Sequence, residues 1–224
     1  MNVILNLLRT ITLGAALTAA LGTAQAGTIS TLPSTGNIGF FGAPSSGSTP
    51  TYGETFVATA ALGLYLSDFT FYFQNNSAGT LAYQAQVYRW SGSGVIGSAL
   101  FSTNATIGPT GTSYVPITTQ VNDLALLDQT SYIALFTTVN TGGSVGGLRA
   151  QNSLDSSYPS GTFEYNNSAT AAGLSGNWNN VGNFGDLTFT MNFDAAPSAV
   201  PEPDSLALAG LALLAAAVAR RRKS

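Results

Sequence analysis

The side chains available for chemistry in this chain are mostly acids, hydroxyls and amides. The sequence has no histidine and no cysteine, which excludes Ser-His-Asp catalysis, Cys-His catalysis and the usual zinc sites. Paired carboxylates remain: Asp123 and Asp128 lie on a turn-like stretch, and Glu164 and Asp186 flank later strands. Glycoside hydrolysis needs two carboxyl groups at a defined separation, and nothing in the sequence brings a pair together. We therefore expect no catalytic residues and no enzyme activity, with a carboxylate-dependent glycan hydrolase or lyase as the alternative.

Acidic residues also raise the question of calcium. Asp123, Asp128, Asp155 and Asp186 offer the hard oxygen ligands that Ca²⁺ prefers. The sequence contains no D-x-D-x-D loop, so solvated loop acids are the simpler interpretation. We expect no bound metal and no cofactor.

Aromatic side chains are the candidates for ligand binding. Trp90 ends a strand beside a Gly-Ser turn, and Trp178 lies among glycine and asparagine residues. Together with Tyr158 and Tyr165, they could present flat faces to the C–H groups of a sugar. Core packing is the commoner fate of a tryptophan. The candidate ligand-binding residues are Trp90, Trp178 and Tyr158, and the candidate ligand is a carbohydrate.

The composition fits one globular domain with a polar, uncharged surface. The chain has 224 residues, only 8% of them charged, and a formal net charge of -3. Between Gly27 and Ala199 the basic residues are Arg89 and Arg149, against eight acids. Nucleic-acid surfaces need clustered basic residues, so we expect no nucleic-acid partner. Without cysteine, stability has to come from packing and strand pairing rather than from disulfides.

Alternation of polar and apolar residues predicts an all-β domain over residues 27–193. The clearest strands are Phe69–Phe73, Leu81–Trp90, Tyr132–Val139 and Asp186–Phe193. Weaker candidates are Thr55–Ala60, Ala99–Ser102, Tyr114–Thr118 and Gly161–Tyr165. One-sided strands separated by Gly-rich and Ser-rich turns are best buried in a single antiparallel β-sandwich, which we expect to be jelly-roll-like. The Pro33–Pro50 stretch, rich in Gly, Ser, Thr and Pro, is expected to lie on the surface outside the core.

The N-terminus has the pattern of a secretory signal peptide, residues 1–26. Arg9 supplies positive charge, and an apolar stretch follows from Ile11 to Leu21. Ala24 and Ala26 then form an A-x-A cleavage pattern, which predicts a cut between Ala26 and Gly27.

The C-terminus has three ordered parts after a short linker at residues 194–199. Val200, Pro201, Glu202 and Pro203 form an extended segment, because each proline fixes its own φ and disfavours helix in the residue before it. The next part, Leu206–Ala219, is uncharged and apolar, and a basic tail completes the chain with Arg220, Arg221, Arg222 and Lys223. Such a tail favours the cytoplasmic side of a membrane and stops transfer.

The apolar part is short for a membrane helix. Leu206–Ala219 has 14 residues, about 21 Å of helix, against a hydrocarbon core of roughly 30 Å. Snorkelling of the basic side chains and local thinning of the bilayer reduce this mismatch. A short, weakly held transmembrane helix suits a temporary anchor.

Residues 200–224 resemble the PEP-CTERM sorting signal of Gram-negative bacteria, with its Pro-Glu-Pro motif, transmembrane helix and basic tail. The position after Pro203 is often Ser or Ala in such signals and is Asp204 here. The resemblance implies recognition and cleavage by an exosortase, and delivery to the cell surface or an exopolysaccharide (biofilm) matrix.

These observations predict an exported protein that meets the inner membrane and an exosortase only transiently. We expect its β-domain to be a non-catalytic surface or matrix module, with exopolysaccharide as a candidate partner. A purely structural matrix component is a further alternative to the glycan hydrolase or lyase.

Overall fold

The structure, a computed structural model, describes residues 26–142, 144–154, 158–179 and 184–195. These residues form strands joined by turns, with two short 3₁₀ segments at Pro44–Ser46 and Ala171–Ser175. In chain order the strands are β1 (Gly27–Ser30), β2 (Gly36–Phe41), β3 (Thr51–Ala58), β4 (Tyr65–Gln74), β5 (Leu81–Trp90), β6 (Val95–Ile107), β7 (Val115–Ala125), β8 (Thr130–Thr137), β9 (Leu148–Ser153), β10 (Phe163–Asn166), β11 (Trp178–Asn179), β12 (Asp186–Leu187) and β13 (Phe189–Asp194).

The strands form two antiparallel sheets that pack as a sandwich. One sheet has the order β11-β10-β3-β8-β5-β6. The other sheet contains the neighbours β1-β13-β4-β7. In the same sheet β9 pairs with β4, and β2 and β12 each pair with β9. The neighbours β3-β8-β5-β6 and β1-β13-β4-β7 are those of the two four-stranded sheets of a jelly roll. The prediction of a jelly-roll-like β-sandwich is therefore confirmed.

Aromatic rings fill the space between the sheets. In β4, Phe69, Phe71 and Phe73 are all buried, because alternate residues of a strand point to the same side. They meet Phe136 of β8 at ring-centroid distances of 5.9, 5.0 and 5.6 Å. Tyr83 of β5 contacts the same ring at 4.4 Å. Phe136 is thus a contact point for rings from both sheets.

The Pro33–Pro50 stretch is not the surface segment that its composition suggested. It contains β2, which pairs with β9 and buries Ile38 and Phe41 in the core. Its polar residues, apart from Asn37 in β2, belong to the segments on either side of that strand. The expectation was wrong because one buried aromatic outweighs the turn-forming composition around it.

A second difference lies near the C-terminal end of the domain. The expected single strand from Asp186 to Phe193 is divided at Thr188, where β12 pairs with β9 and β13 pairs with β4. β13 continues to Asp194, the first residue of the expected linker.

The first strand begins at Gly27, directly after the predicted signal cleavage site. A Cβ atom at Gly27 would lie 2.6 Å from the carbonyl oxygen of Leu62, so this position requires glycine for close packing. Residues 1–25, with Ala24, lie outside the described residues, as do 196–224 with the sorting motif and basic tail. In the part of the chain that the structure covers, no helix has the length and apolar character to cross a bilayer.

Replacing Phe136 by alanine should lower the free energy of unfolding by about 3–5 kcal/mol, because it leaves a cavity where four rings meet. Urea unfolding followed by circular dichroism measures the change. The control is Leu127→Ala, at a position that is 53% exposed, which should alter stability by about 0.5 kcal/mol or less. Equal effects of the two substitutions would contradict a core centred on Phe136.

Candidate functional site

A cleft of about 250 Å³ opens between β2, β3 and β10. Its lining residues are mostly aromatic and come from β2, β3, β10 and the chain segments next to β3, β10 and β12: Ile38, Gly39, Phe40, Thr49, Tyr52, Phe163, Tyr165, Asn167 and Phe184. We call this the aromatic cleft. Its volume lies below the range of roughly 300–1,000 Å³ of drug-sized pockets, so it suits one small ring rather than a large ligand.

Phe40 is the most unusual residue of the aromatic cleft. Its side chain is 71% exposed, and its φ of 70° lies in the left-handed region. This conformation costs a bulky residue about 1–3 kcal/mol and is found most often at functional sites. A register shift between Ile38 and Phe41 marks a bulge that turns Phe40 away from the core.

Two hydrogen bonds hold the bulge in place. The Tyr52 hydroxyl donates to the Gly39 carbonyl, and the Thr49 amide donates to the Phe40 carbonyl at 2.6 Å. Burial raises the pKa of Tyr52, and the nearby Tyr165 adds to the increase, so the Tyr52 hydroxyl keeps the proton that it donates. The backbone that carries the exposed ring of Phe40 is therefore held at two successive carbonyl groups.

The floor of the aromatic cleft is a set of packed rings. Phe163 is buried and lies 5.0 Å from Tyr52 in an edge-to-face contact. It also stacks on Tyr165 at 6.0 Å and meets the edge of Phe184 at 6.2 Å. Because these rings support one another, the surface they offer to a ligand is preformed.

The rim of the aromatic cleft is polar but uncharged. Thr49 and Tyr165 are half-buried, and Asn167 is exposed. Together they offer hydroxyl and amide groups that can both donate and accept hydrogen bonds. None of the nine described lining residues carries a charge.

A pair of buried carboxyl groups, Glu54 and Asp186, lies between β3 and β12. The Leu187 amide donates to Glu54 Oε2 at 2.8 Å, and the Tyr158 amide donates to Asp186 Oδ2 at 3.1 Å. The second oxygens, Glu54 Oε1 and Asp186 Oδ1, are buried without a hydrogen-bond partner among the described residues. We call these two residues the acid pair.

Burial is the main cause that raises the pKa of Glu54 well above its usual range. The neighbouring Asp186 raises it further, the Leu187 amide lowers it, and Glu164 adds a smaller increase. Burial also raises the pKa of Asp186, against the lowering effect of the Tyr158 amide. The acid pair therefore favours the protonated form more than two exposed carboxyl groups would.

The structure separates Glu164 from the acid pair. Phe163 lies directly opposite Glu54 in the β3–β10 ladder, whereas Glu164 lies opposite Gly53. Because alternate residues point to opposite faces, Glu164 projects from the other side of this sheet. The structure thus does not bring Glu164 and Asp186 together as a pair, and Glu54 takes the place beside Asp186.

The two tryptophans lie together, away from the aromatic cleft. Trp90 and Trp178 form an edge-to-face pair at 5.2 Å, and they belong to a small cluster with Ile133 and Leu135. Trp90 is buried, while the half-buried Trp178 donates from its indole N–H to the Leu174 carbonyl at 2.6 Å. A ligand-binding role for them stays a prediction.

Tyr158 belongs to the surroundings of the acid pair. Its hydroxyl accepts a hydrogen bond from the Val57 amide at 3.2 Å, and its ring meets the edge of Phe189 at 6.0 Å. It does not line the aromatic cleft. Burial raises its pKa, and the two carboxyl groups of the acid pair contribute in the same direction.

The remaining acids named from the sequence lie on a turn, within β7 or outside the described residues. Asp128 is exposed and accepts a hydrogen bond from the Ala60 amide at 2.8 Å. Asp123 is half-buried with a left-handed φ of 61°, and Asp155 lies outside the described residues. Within the described ranges, no group of three or more acidic side chains is placed to hold a metal ion.

Sequence reasoning missed Phe40, Tyr52, Phe184 and Glu54 as site residues. Phe40 was hidden in a stretch interpreted as surface loop, and Glu54 is one acid among ten in the chain. A usable signal was the Gly39-Phe40-Phe41 sequence, since adjacent residues of a strand point to opposite sides, so that one of two neighbouring aromatics has to leave the core.

The fold and the cleft define an all-β sandwich domain with a small cleft lined by aromatic residues. A family model described as the PEP-CTERM protein-sorting motif matches residues 199–223. The chain is thus a protein with a PEP-CTERM sorting motif, and the motif supports export and sorting by an exosortase. It implies a transient encounter with that enzyme and a membrane-anchored stage before the protein reaches the surface.

The other comparisons add little. A comparison with curated proteins finds no match. A solved structure titled "Structure of infectious bursal disease virus Gx strain" is similar over 86% of this chain, with 15% identity and a TM-score of 0.27. The chain spans 48% of the chain in that structure, and we draw no conclusion from this likeness.

The acid pair predicts that stability decreases as pH rises. Because the pKa of Glu54 is raised in the folded protein, this contribution is fully present below the ordinary carboxyl pKa of about 4 and is lost as pH rises through the folded-state pKa. Melting temperatures measured from pH 4 to pH 9 should fall along this range. Glu54→Gln keeps a side-chain oxygen that can accept the hydrogen bond from the Leu187 amide but removes the titratable group. In this variant the melting temperature should therefore depend less on pH.

The control for this experiment is Asp128→Asn, which removes an exposed carboxylate outside the acid pair. It should retain the wild-type dependence of melting temperature on pH. If the melting temperature of Glu54→Gln depended on pH as that of the wild type does, the raised pKa of Glu54 could not be the cause of the pH dependence.

Proposed function

We propose that this protein is an exported, non-catalytic surface or matrix module whose aromatic cleft binds one neutral sugar residue of an exopolysaccharide. The observation that carries the proposal is the exposed Phe40 ring, which a strained bulge holds at the rim of a preformed cleft. Sorting by an exosortase delivers such a module to the location where the polysaccharide accumulates.

The chemistry of the aromatic cleft matches a sugar ring. A pyranose has an apolar face of C–H groups and an equatorial belt of hydroxyls. Phe40 and Tyr165 offer ring surfaces for the C–H face, and Asn167 and Thr49 offer groups that donate to and accept from hydroxyls. Buried aromatic rings with a few polar groups at the edge are typical of small-molecule sites.

Charge favours a neutral rather than an acidic polymer. None of the described residues that line the aromatic cleft is charged, and the region from Gly27 to Ala199 carries two basic and eight acidic residues. Carboxylate-bearing or sulfated sugars would meet an excess of negative charge without a basic partner.

The placement of the acid pair supports a non-catalytic role. Both carboxyl-bearing residues have no exposed surface, and neither lines the aromatic cleft. A hydrolase needs its acid and its base in contact with the glycosidic bond. The alternative of a carboxylate-dependent hydrolase predicts product release that is abolished by Glu54→Gln, and our proposal predicts no product at all.

Binding can be measured by calorimetry or affinity electrophoresis with neutral hexose oligosaccharides of differing linkage, and with a uronic-acid oligosaccharide for comparison. Phe40→Ala should weaken binding of the preferred neutral glycan about tenfold, or ~1.4 kcal/mol, without lowering stability, since it removes an exposed ring. Asn167→Ala should weaken binding to a smaller extent.

The matched control is Leu127→Ala, which removes another exposed apolar side chain outside the aromatic cleft. It should bind like the wild type. Absence of binding to every glycan tested would favour a purely structural matrix component and would contradict the proposal. An equal loss of glycan binding in Phe40→Ala and Leu127→Ala would contradict the assignment of the aromatic cleft as the binding site.

Sorting can be tested separately. Replacement of Pro201, Glu202 and Pro203 by alanine should keep the precursor in the inner membrane, because the extended segment that the exosortase grips is lost. Fractionation and mass spectrometry of the intact protein measure this outcome. Pro197→Ala, a proline outside the motif, is the control and should be processed normally; unchanged release of the triple variant would contradict the role of the motif.

A further inference from the structure

One edge of the six-stranded sheet has no neighbouring strand among the described residues. In the part of the chain that the structure describes, β6 is the terminal strand and pairs only with β5. Residues Phe101–Ile107 follow an unbroken antiparallel register with Val87 to Leu81, after a register shift between Val87 and Arg89. Alternate residues of such a strand direct their N–H and C=O groups away from the sheet. We call residues Phe101–Ile107 the β6 edge.

The edge strand of the other sheet, β7, is protected against pairing. Pro116 removes a backbone donor, and Asp123 adds a charge. Asn122 and Asp123 both have left-handed φ angles, near 60°, where the ladder with β4 is interrupted. Prolines, charges and bulges are the usual devices that prevent association between sheet edges.

The β6 edge carries none of these devices. Its sequence, Phe-Ser-Thr-Asn-Ala-Thr-Ile, contains no charged residue, no proline and no glycine. A regular seven-residue segment of this composition is a ready template for another strand. Because the domain as a whole is acidic, an uncharged edge is also where two copies can approach with the least repulsion.

We propose that the β6 edge pairs with the same edge of a second copy of this chain, antiparallel about a two-fold axis at Asn104. In that register each residue meets a compatible one. The pairs are Phe101 with Ile107, Ser102 with Thr106, Thr103 with Ala105, and Asn104 with itself. They combine an aromatic with a β-branched side chain and one hydroxyl with another, and such cross-strand pairs stabilise a sheet. As in any two-fold interface, every contact occurs twice.

A row of amides on the outer face leads to the axis. Gln86 Nε2 donates to Gln84 Oε1 at 3.1 Å, and Gln84 Nε2 donates to Asn104 Oδ1 at 3.1 Å. The carbonyl oxygen of Asn104 has a second lone pair, and its amide group has two N–H donors. Two Asn104 side chains that meet at the axis therefore continue the row from one copy into the other, and the two six-stranded sheets become one.

The first experiment measures the oligomeric state of the exported, processed protein by sedimentation over a range of concentrations. We expect a monomer–dimer equilibrium whose dissociation constant rises at least tenfold in Asn104→Lys, which places two like charges face to face. Ser45→Lys adds the same charge at an exposed position of the Pro44–Ser46 segment and should leave the dimer unchanged. Melting temperatures of both variants verify that they are folded.

The second experiment tests the register. The chain has no cysteine, so Ser102→Cys and Thr106→Cys each provide a single thiol. A short thiol cross-linker should join the two variants when they are mixed and should join neither to itself, because like positions lie about four residues, ~13 Å, apart along the paired strands.

Three results would overturn the proposal. They are a monomer at every concentration, a dimer that Asn104→Lys leaves intact, and cross-linking of either cysteine variant to itself with the efficiency of the mixture. A dimer held by another surface would give the second result. Because the β6 edge shares no residue with the aromatic cleft, failure of this proposal leaves the proposed glycan binding untouched.

Discussion

The contact between aromatic rings of the two sheets is the interaction on which the rest of this domain depends. The chain has no cysteine and few charged residues, so neither disulfides nor a large set of ion pairs can hold the sheets together. Phe136 meets Phe69, Phe71 and Phe73 from the facing sheet and Tyr83 from its own. Large rings bury much apolar area for each residue that is ordered, which suits a domain whose surface is made of hydroxyls, amides and glycine.

The same aromatic layer continues outward to form the candidate site. Tyr52 belongs to the core and lies 5.2 Å from Phe41, yet it also supports the floor of the aromatic cleft through Phe163. The bulge at Gly39 and Phe40 separates two adjacent phenylalanines: Phe41 is fully buried and Phe40 is exposed. The strain at Phe40 is offset by the burial of Phe41 and by hydrogen bonds from Tyr52 and Thr49. The aromatic cleft and the core are thus one continuous structure.

The buried acid pair lies apart from the aromatic cleft, and its burial costs free energy. Removing two carboxyl groups from water without a basic partner favours their neutral forms, and the amides of Leu187 and Tyr158 compensate only part of that loss. Glu54 extends from β3 to the backbone of β12 and so connects the two sheets through a hydrogen bond. Its side chain is buried on the core side and does not line the aromatic cleft.

Local patterns in the sequence determined the all-β class and the C-terminal sorting motif. The alternation in Leu81–Trp90 predicts β5 with its observed bounds, because a side chain in a strand has only two directions to choose from. The motif at residues 199–223 is likewise read along the chain and needs no partner segment. Neither conclusion depends on how distant residues meet.

Only the tertiary structure decided which residues share a site. Phe40 and Tyr165 line one cleft, and Glu54 and Asp186 form one pair, although each set comes from strands more than 100 residues apart. Trp90 and Trp178, which are 88 residues apart in the sequence, pack against each other. Register between strands distant in sequence is set by the packing of the whole core, so no local pattern could have placed these side chains together.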